Sequence, residues 1–254
     1  MRIGIIGTGN IGGSLVRHLS RASHDVKVAN SRGPETIQAD LLTHGARAVT
    51  AAEAAQDVQV LILSVPLGAI PHLADIVRTL PESATVIDTS NYYPQRDGEG
   101  FLPEGTVESV WVTEQLGRPV VKAWNSIGAS PLAEKGRPAG TEGRVALPVA
   151  ADREEDRTRA HALVDATGFG PYDAGPLAES WRQQPGTPCY GTDLTLGELP
   201  QALATADAER APRRRDIYVD AAAERLGSGI SPDADWGVAL ARLLFRWGGG
   251  PHGP

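Results

Sequence analysis

The sequence predicts an α/β fold, a doubly wound and mostly parallel sheet carrying a helical C-terminal extension, and two observations predict it. Short apolar segments alternate with helix-patterned ones through most of the 254 residues. Right-handed crossovers build such an alternation into a parallel sheet with helices on both faces. From about Leu194 onward the strands stop and only helix patterns remain.

Each segment carries its own signature. "RIGIIG", starting at the second residue, reads as a buried strand, and "NIGGSLVRHLSRAS" as a helix with Ile11, Leu15 and Leu19 along one face. "HDVKVAN" is the second strand. A helix is expected next, with Pro34 at its first position and Gly45 as its stop signal. "ARAVT" reads as a short third strand and "VQVLILSV" as a near-continuous apolar fourth, the pattern of a parallel strand covered on both faces. A helix around "AIPHLADIVRTL", the strand "ATVIDTS", the helix-like "VESVWVTEQL" and the strand "PVVKAWN" follow. "GRVALPVAA", the charged helix "DREEDRTRAHALVDA" and "GPYDAGPL" add one more strand-helix-strand unit.

Residues 1–193 are thus expected to form the sheet domain and 194–247 a helical extension, with 248–254 a disordered tail. The extension contains "LGELPQALATADAER", "RRDIYVDAAAERL" and "DADWGVALARLLFRW". The last of these puts Trp236, Leu240, Leu243, Leu244 and Trp247 on one side. That stripe suits packing on the protein's own sheet or a homodimer interface.

Composition narrows the class. With 41% hydrophobic residues, 22% charged residues and a net charge of -7, the chain has the make-up of a soluble globular protein. No nucleic-acid or membrane partner is expected of so acidic a chain. The first strand begins at the second residue, so no leader is expected, and the longest apolar run, "VQVLILSVPLGAI", is too short for a bilayer. Cys189 is the only cysteine, which fits a reducing cytoplasm.

The firmest chemical signal is "GTGNIG", residues Gly7, Thr8, Gly9, Asn10, Ile11 and Gly12. Its G-x-G-x-x-G spacing follows an apolar strand and opens a helix, as in a Rossmann-type dinucleotide site. Gly7 permits the tight turn, Gly9 lets backbone approach a pyrophosphate, and Gly12 lets helix and strand pack closely. The free N–H groups of the helix start then hold the anion.

The second strand ends at Asn30, roughly 20 residues past the glycines, where an NAD-binding chain carries an acid for the ribose hydroxyl. Here the chain offers Asn30, Ser31 and Arg32. A guanidinium and a hydroxyl suit a 2′-phosphate, so NADP(H) is the expected cofactor.

The nicotinamide half should cross the carboxyl ends of later strands. Those ends are "SVPLG", with Ser64, Val65 and Pro66, and "AWNSIGAS", with Asn125, Ser126 and Ala129, while "DTSNYYP" closes the rim. Trp124, Trp181 and Tyr190 are candidate walls for a planar acceptor, and Asn125, Ser126, Trp124 and Tyr190 the candidate substrate pocket. No catalytic side chain is singled out. Cys189 has no base paired with it by motif, and the six histidines lack ligand spacing, so no metal site is expected.

With those segments in place the chain resembles the NADP oxidoreductases typified by the coenzyme F-420 (deazaflavin) dependent NADP reductase. The likeness rests on "IGIIGTGNIG", "NSRGPET", "SVP", "KAWNSIGAS" and "DAGPL", and covers roughly Met1 to Trp181. More distantly the chain is similar to the N-terminal domain of pyrroline-5-carboxylate reductase. The resemblance implies direct hydride transfer between the nicotinamide and a flat reducible ring such as coenzyme F-420 or a flavin. It assigns the phosphate contact to Ser31 and Arg32 and nicotinamide contacts to "NSIGA". The chain departs from the family at Asn125-Ser126, where members tend to carry His-Thr, and at Glu35-Thr36, where a further basic residue is common. Two other readings keep the fold: reduction of a small imine or carbonyl compound, with Tyr190, Tyr92 or Tyr93 as proton donor, and a non-catalytic NADPH sensor.

Overall fold

A parallel strand that is apolar on both faces must be covered twice, and the first strand is covered twice here. A computed structural model describes residues 1–227 and 234–245. The expected tail, 248–254, and Trp247 lie outside the described residues. The first half contains β1 (Arg2–Ile6), α1 (Asn10–Arg21), β2 (Asp25–Ala29), β3 (Arg47–Ala48), α2 (Ala51–Ala54), β4 (Val60–Leu63), α3 (Ala74–Arg78), β5 (Thr85–Asp88), α4 (Pro94–Asp97), α5 (Glu108–Leu116), β6 (Val121–Lys122) and α6 (Ala129–Glu134). The strands form one six-stranded parallel sheet in the order β3-β2-β1-β4-β5-β6. Strand order reverses between β1 and β4, so a crevice opens there at the carboxyl ends.

The period-2 alternation decides which layer each strand residue joins. Ile3, Ile5, Val26, Val28, Val60 and Ile62 face the layer containing Leu15, Val16 and Leu19 of α1. Ile6, Ala29, Leu61, Leu63 and Val86 face the opposite layer with Val77, Val112 and Leu116. Each such valine, leucine or isoleucine, fully buried, contributes about 1.5–3 kcal/mol relative to exposure. Gly4 sits where a Cβ would lie 1.9 Å from the Ala54 carbonyl oxygen, so glycine lets α2 pack directly on β1. The signal for α2 is a capping box, Thr50 with Glu53, in which each side chain bonds the other residue's backbone N–H.

The rest of the chain supplies β7 (Ala146–Val149), α7 (Glu154–Ala166), β8 (Gly170–Asp173), α8 (Leu199–Ala204), α9 (Ala211–Leu226) and α10 (Ala234–Phe245). The unit β7-α7-β8 forms a separate two-stranded parallel sheet. An antiparallel bridge between Lys122 and Ala150 joins it to the large sheet, while α7 packs on the main core.

Three sequence expectations need correction. The segment after β2 is two 3-10 turns, Pro34–Thr36 and Ala39–Leu42, not a helix. Ile37 between them is extended, and the Thr36 hydroxyl bonds the Gly33 carbonyl and Asn30 instead of staying clear of the backbone. Ahead of α3, residues Leu67–Leu73 are also 3-10, with Pro71 inside the turn and lacking an N–H. Finally, α10 turns Val238, Ala241 and Phe245 inward, whereas Trp236 and Leu240 are half-buried and Leu243 is 78% exposed. The bulkier stripe seen in the sequence is therefore not the buried one. Phe245 packs on Tyr218 of α9, and Arg225 lies over the Trp236 ring.

Candidate functional site

The glycine elbow is set by close approach. Gly7 has φ +116°, and a Cβ on it would lie 2.0 Å from the Ser64 carbonyl oxygen. A Cβ on Gly12 would lie 2.1 Å from the Gly7 carbonyl oxygen. Around Gly9 nothing lies within 4 Å of where a Cβ would stand. That open space fronts the first turn of α1, which has neither a side-chain cap nor an acidic residue. Its orphan N–H groups are available to an anion.

Beyond β2 a side-chain clasp shapes the next loop. Asn30 Nδ2 donates to Thr36 Oγ1 at 2.9 Å, and Asn30 Oδ1 accepts from the Arg32 N–H at 2.9 Å. Asn30 is thereby used as a structural hinge, while Ser31 and Arg32 stand exposed. The Arg32 guanidinium has no partner among the described residues.

At the carboxyl ends of β1, β4, β5 and β6 a cleft of about 360 Å³ brings together Gly9, Asn10, Ile11, Ser64, Val65, Pro66, Trp124, Asn125 and Ala129 from the sequence-derived set, with Tyr190. Its far wall comes from Thr89, Ser90, Asn91, Tyr93 and Arg96. Gly7, Thr8 and Gly12 form the turn beneath it. The Ser90 hydroxyl oxygen is buried with no hydrogen-bond partner, as suits a wall that awaits a polar ligand.

Two expected pocket residues serve differently. Trp124 reaches the cleft lining, but its side chain is fully buried in the core, with Nε1 donating to Thr167 Oγ1 at 3.2 Å. Its φ of +55° turns the chain sharply after β6. Ser126 is buried outside the cleft lining, and its carbonyl accepts from the Gly191 N–H at 2.7 Å. Asn125 reaches the lining, but its amide is committed: Nδ2 donates to Asn91 Oδ1 and the Gln183 carbonyl, and Oδ1 accepts from Gln183 Nε2. Trp181 lies under Arg182 at 4.4 Å, on another cavity.

Ionisable groups crowd behind the far wall. Lys122 Nζ donates to Asp88 Oδ2 at 2.7 Å and to the Ser90 carbonyl at 2.5 Å, with both charged side chains at 0% exposure. The Tyr93 and Tyr190 hydroxyls are 2.5 Å apart, and Asn91 Nδ2 also donates to Tyr190 Oη at 3.4 Å. Burial pushes Tyr93 up to about 12 and Tyr190 well above its usual value. Burial likewise pushes the Glu108 carboxyl up to about 7, against the pull of the Lys122 ammonium. Cys189 is buried, is pushed up to about 12 for the same reason, and so stays a thiol.

Arg96 and Gln183 were not legible as site residues from the sequence. Arg96 donates to the Asn91 carbonyl and to Asp97, stiffening the wall. No local pattern marks Gln183, since its partners come from β6 and the turn after it. Among the described residues no cluster of three or more metal-ligating side chains occurs, and no helix is long and apolar enough to cross a membrane.

The family model described as NADP oxidoreductase coenzyme F420-dependent matches residues 2–92, from β1 to the far wall of the cleft. The provisionally named protein YjhV of Escherichia coli (strain K12) is 42% identical over 69 residues, a stretch covering 27% of this chain and half of that protein. A hypothetical protein, SMa0349, from Sinorhizobium meliloti is 31% identical in its crystal structure. The match covers 77% of this chain and 95% of that one, with a TM-score of 0.64. A provisionally assigned F420-dependent NADP-reductase from Arthrobacter sp. FB24 shares the fold, with 18% identity, 71% and 87% of the two chains covered and a TM-score of 0.59.

Proposed function

Because residues 2–92 match the family of coenzyme F420-dependent NADP oxidoreductases, we propose that the chain is an NADPH-dependent oxidoreductase acting on a planar redox acceptor such as deazaflavin coenzyme F-420 or a flavin. The observation that carries this reading is the pairing of an open glycine elbow with an exposed, unpaired Arg32 at the end of β2. When bound, the cofactor supplies a hydride. The chain's own residues bind it and orient it, which is the main protein contribution to such chemistry.

The elbow, from Gly7 through Thr8, Gly9, Asn10 and Ile11 to Gly12, takes the pyrophosphate. Ser31 and Arg32, held out by Asn30, take the 2′-phosphate. Ser64, Val65 and Pro66 flank the ribose path, and Ala129 with Asn125 borders the nicotinamide, while Ser126 supports that turn from behind. The Asn125–Asn91–Gln183 network fixes the wall and keeps bulk water from entering through it.

A second reading, reduction of a small imine or carbonyl, is favoured by the Tyr93–Tyr190 pair on the cleft wall. Titration with NADPH and NADH, followed by cofactor oxidation with coenzyme F-420, FMN and a panel of cyclic imines and ketones, tests both. Tight NADPH binding with turnover of a ring acceptor is the expected result. Tight binding with silence across all three acceptor classes would leave a non-catalytic NADPH sensor.

Residues 1–193 act in this reading as the cofactor-binding body, and 194–247 as a helical extension. The buried lone thiol and the net negative charge suit a cytoplasmic protein. The exposed Leu243 of α10 and Ile217 of α9 are assigned to a homodimer contact. Sedimentation of a Leu243→Glu variant should then give a monomer where the wild type gives a dimer, and identical profiles would remove the assignment.

A further inference from the structure

The far wall of the cleft carries a charge that NADPH binding does not use. Among the described residues that line the cleft, Arg96 alone is charged. It sits on α4 with 43% of its side chain exposed. Nε donates to Asp97 Oδ1 at 3.1 Å, and Nη2 donates to Asp97 Oδ2 and to the Asn91 carbonyl. Nη1 makes no hydrogen bond to any described residue.

Asp97 anchors this guanidinium from behind without entering the cleft. Its side chain is 1% exposed and also accepts from the Tyr93 and Gly68 N–H groups, at 3.0 and 3.5 Å. Its negative charge is therefore turned inward and already shared. The Tyr93 ring adds a second support, with its centroid 5.3 Å from the guanidinium carbon. Arg96 is thus fixed along one edge and open along the other, an arrangement that receives an anion.

Ser90 supplies a further donor on the same wall. It is 4% exposed, and its hydroxyl has no partner. Arg96 Nη2 holds the Asn91 carbonyl one residue further on, so the two donors are tied together. The cofactor does not account for them. Its pyrophosphate is assigned to the elbow after β1 and its 2′-phosphate to Arg32 after β2. Ser90 follows β5, two strands from β1 in the sheet, a separation of roughly 10 Å at ordinary strand spacing.

We propose that Arg96 and Ser90 bind an anionic group, a carboxylate or a phosphate, carried by the redox acceptor. This deepens the oxidoreductase reading, rests on the cleft being the NADPH site, and narrows the acceptor to an acid. A neutral ring or ketone would leave the guanidinium edge and the buried hydroxyl unmatched, and such unmatched groups are what a polar site discriminates by.

Two matched pairs of probes test this on the full chain saturated with NADP+. FMN and riboflavin differ in a phosphate, and 2-oxobutanoate and butanone in a carboxylate. Calorimetric titration should show at least one acid binding on the order of 10-fold tighter than its neutral counterpart. The pair that shows the gap tells phosphate from carboxylate. Arg96→Gln should close the gap while leaving NADP+ and the neutral probe bound as before, and Arg96→Lys should keep part of it. A merely structural loss would weaken both members of a pair alike. Ser90→Ala, which removes no hydrogen bond within the chain, should narrow the gap and decides the matter if Arg96→Gln does not fold. No gap in either pair, a gap untouched by these variants, or an Arg96→Gln loss that falls on NADP+ would overturn the proposal. If the wild type does not bind NADP+ at all, the cofactor reading fails separately, and the same pairs titrated into the free chain still judge Arg96.

Discussion

Replacing Lys122 by methionine should destabilise the fold by about 3–5 kcal/mol, the cost of stranding one member of a buried ion pair. Asp88 and Lys122 are both fully buried, and Nζ also holds the Ser90 carbonyl. Methionine keeps most of the side-chain volume, so lost packing cannot supply the effect. The uncompensated Asp88 carboxylate supplies it, retaining only the Ser90 N–H at 2.9 Å. Denaturant unfolding of three variants makes the check specific. The double variant Asp88→Asn with Lys122→Met should recover much of the loss, since neither charge is then left alone. If the double variant is as unstable as the sum of the singles, the ion pair is not the cause. NADPH affinity should fall with the Lys122 single variant, because Lys122 Nζ holds the Ser90 carbonyl beyond the end of β5, next to Asn91.

The second large effect falls on cofactor choice. Arg32→Ala should weaken NADPH by about 1.5–3 kcal/mol, the worth of a charge-assisted hydrogen bond, while leaving NADH nearly unchanged. Arg32 is exposed and unpaired in the described structure, so the variant removes no internal contact and should unfold at the wild-type temperature. Fluorescence titration with both nucleotides, repeated at low and high salt, measures it. The preference for NADPH should shrink as salt rises. Parallel losses for both nucleotides would mean that Arg32 contributes general attraction and does not read the 2′-phosphate. Glu35, whose carboxylate would lie 2.5 Å from a Cβ on Gly33, sits in the same loop, so Glu35→Lys should strengthen NADPH binding in the same titration.

How far the site could be read in advance depended on how local each feature is. The order of the six strands β1 to β6 followed from the apolar patterns, and the glycine elbow from six consecutive residues, whereas the short helices α2 and α4 were not read. Gly7 and Gly12 indeed sit where backbone meets backbone. The 3-10 turns after β2 escaped because Asn30 and Thr36 clasp each other across six positions, and no propensity records such a bond. The inward face of α10 was misread for a related reason. Larger apolar residues outweigh Val238 and Ala241 in any sequence pattern, but the side that packs is set by what stands opposite.

The sequence by itself determined the α/β class, the position of the glycine elbow and the cationic loop beyond β2, since each depends on neighbours along the chain. Tertiary structure alone decided that Trp124 belongs to the core, that Asn125 is bound to Asn91 and Gln183, and that Tyr93 meets Tyr190 across 97 positions. Burial and hydrogen bonding between distant segments depend on distances in space, which only the folded chain defines.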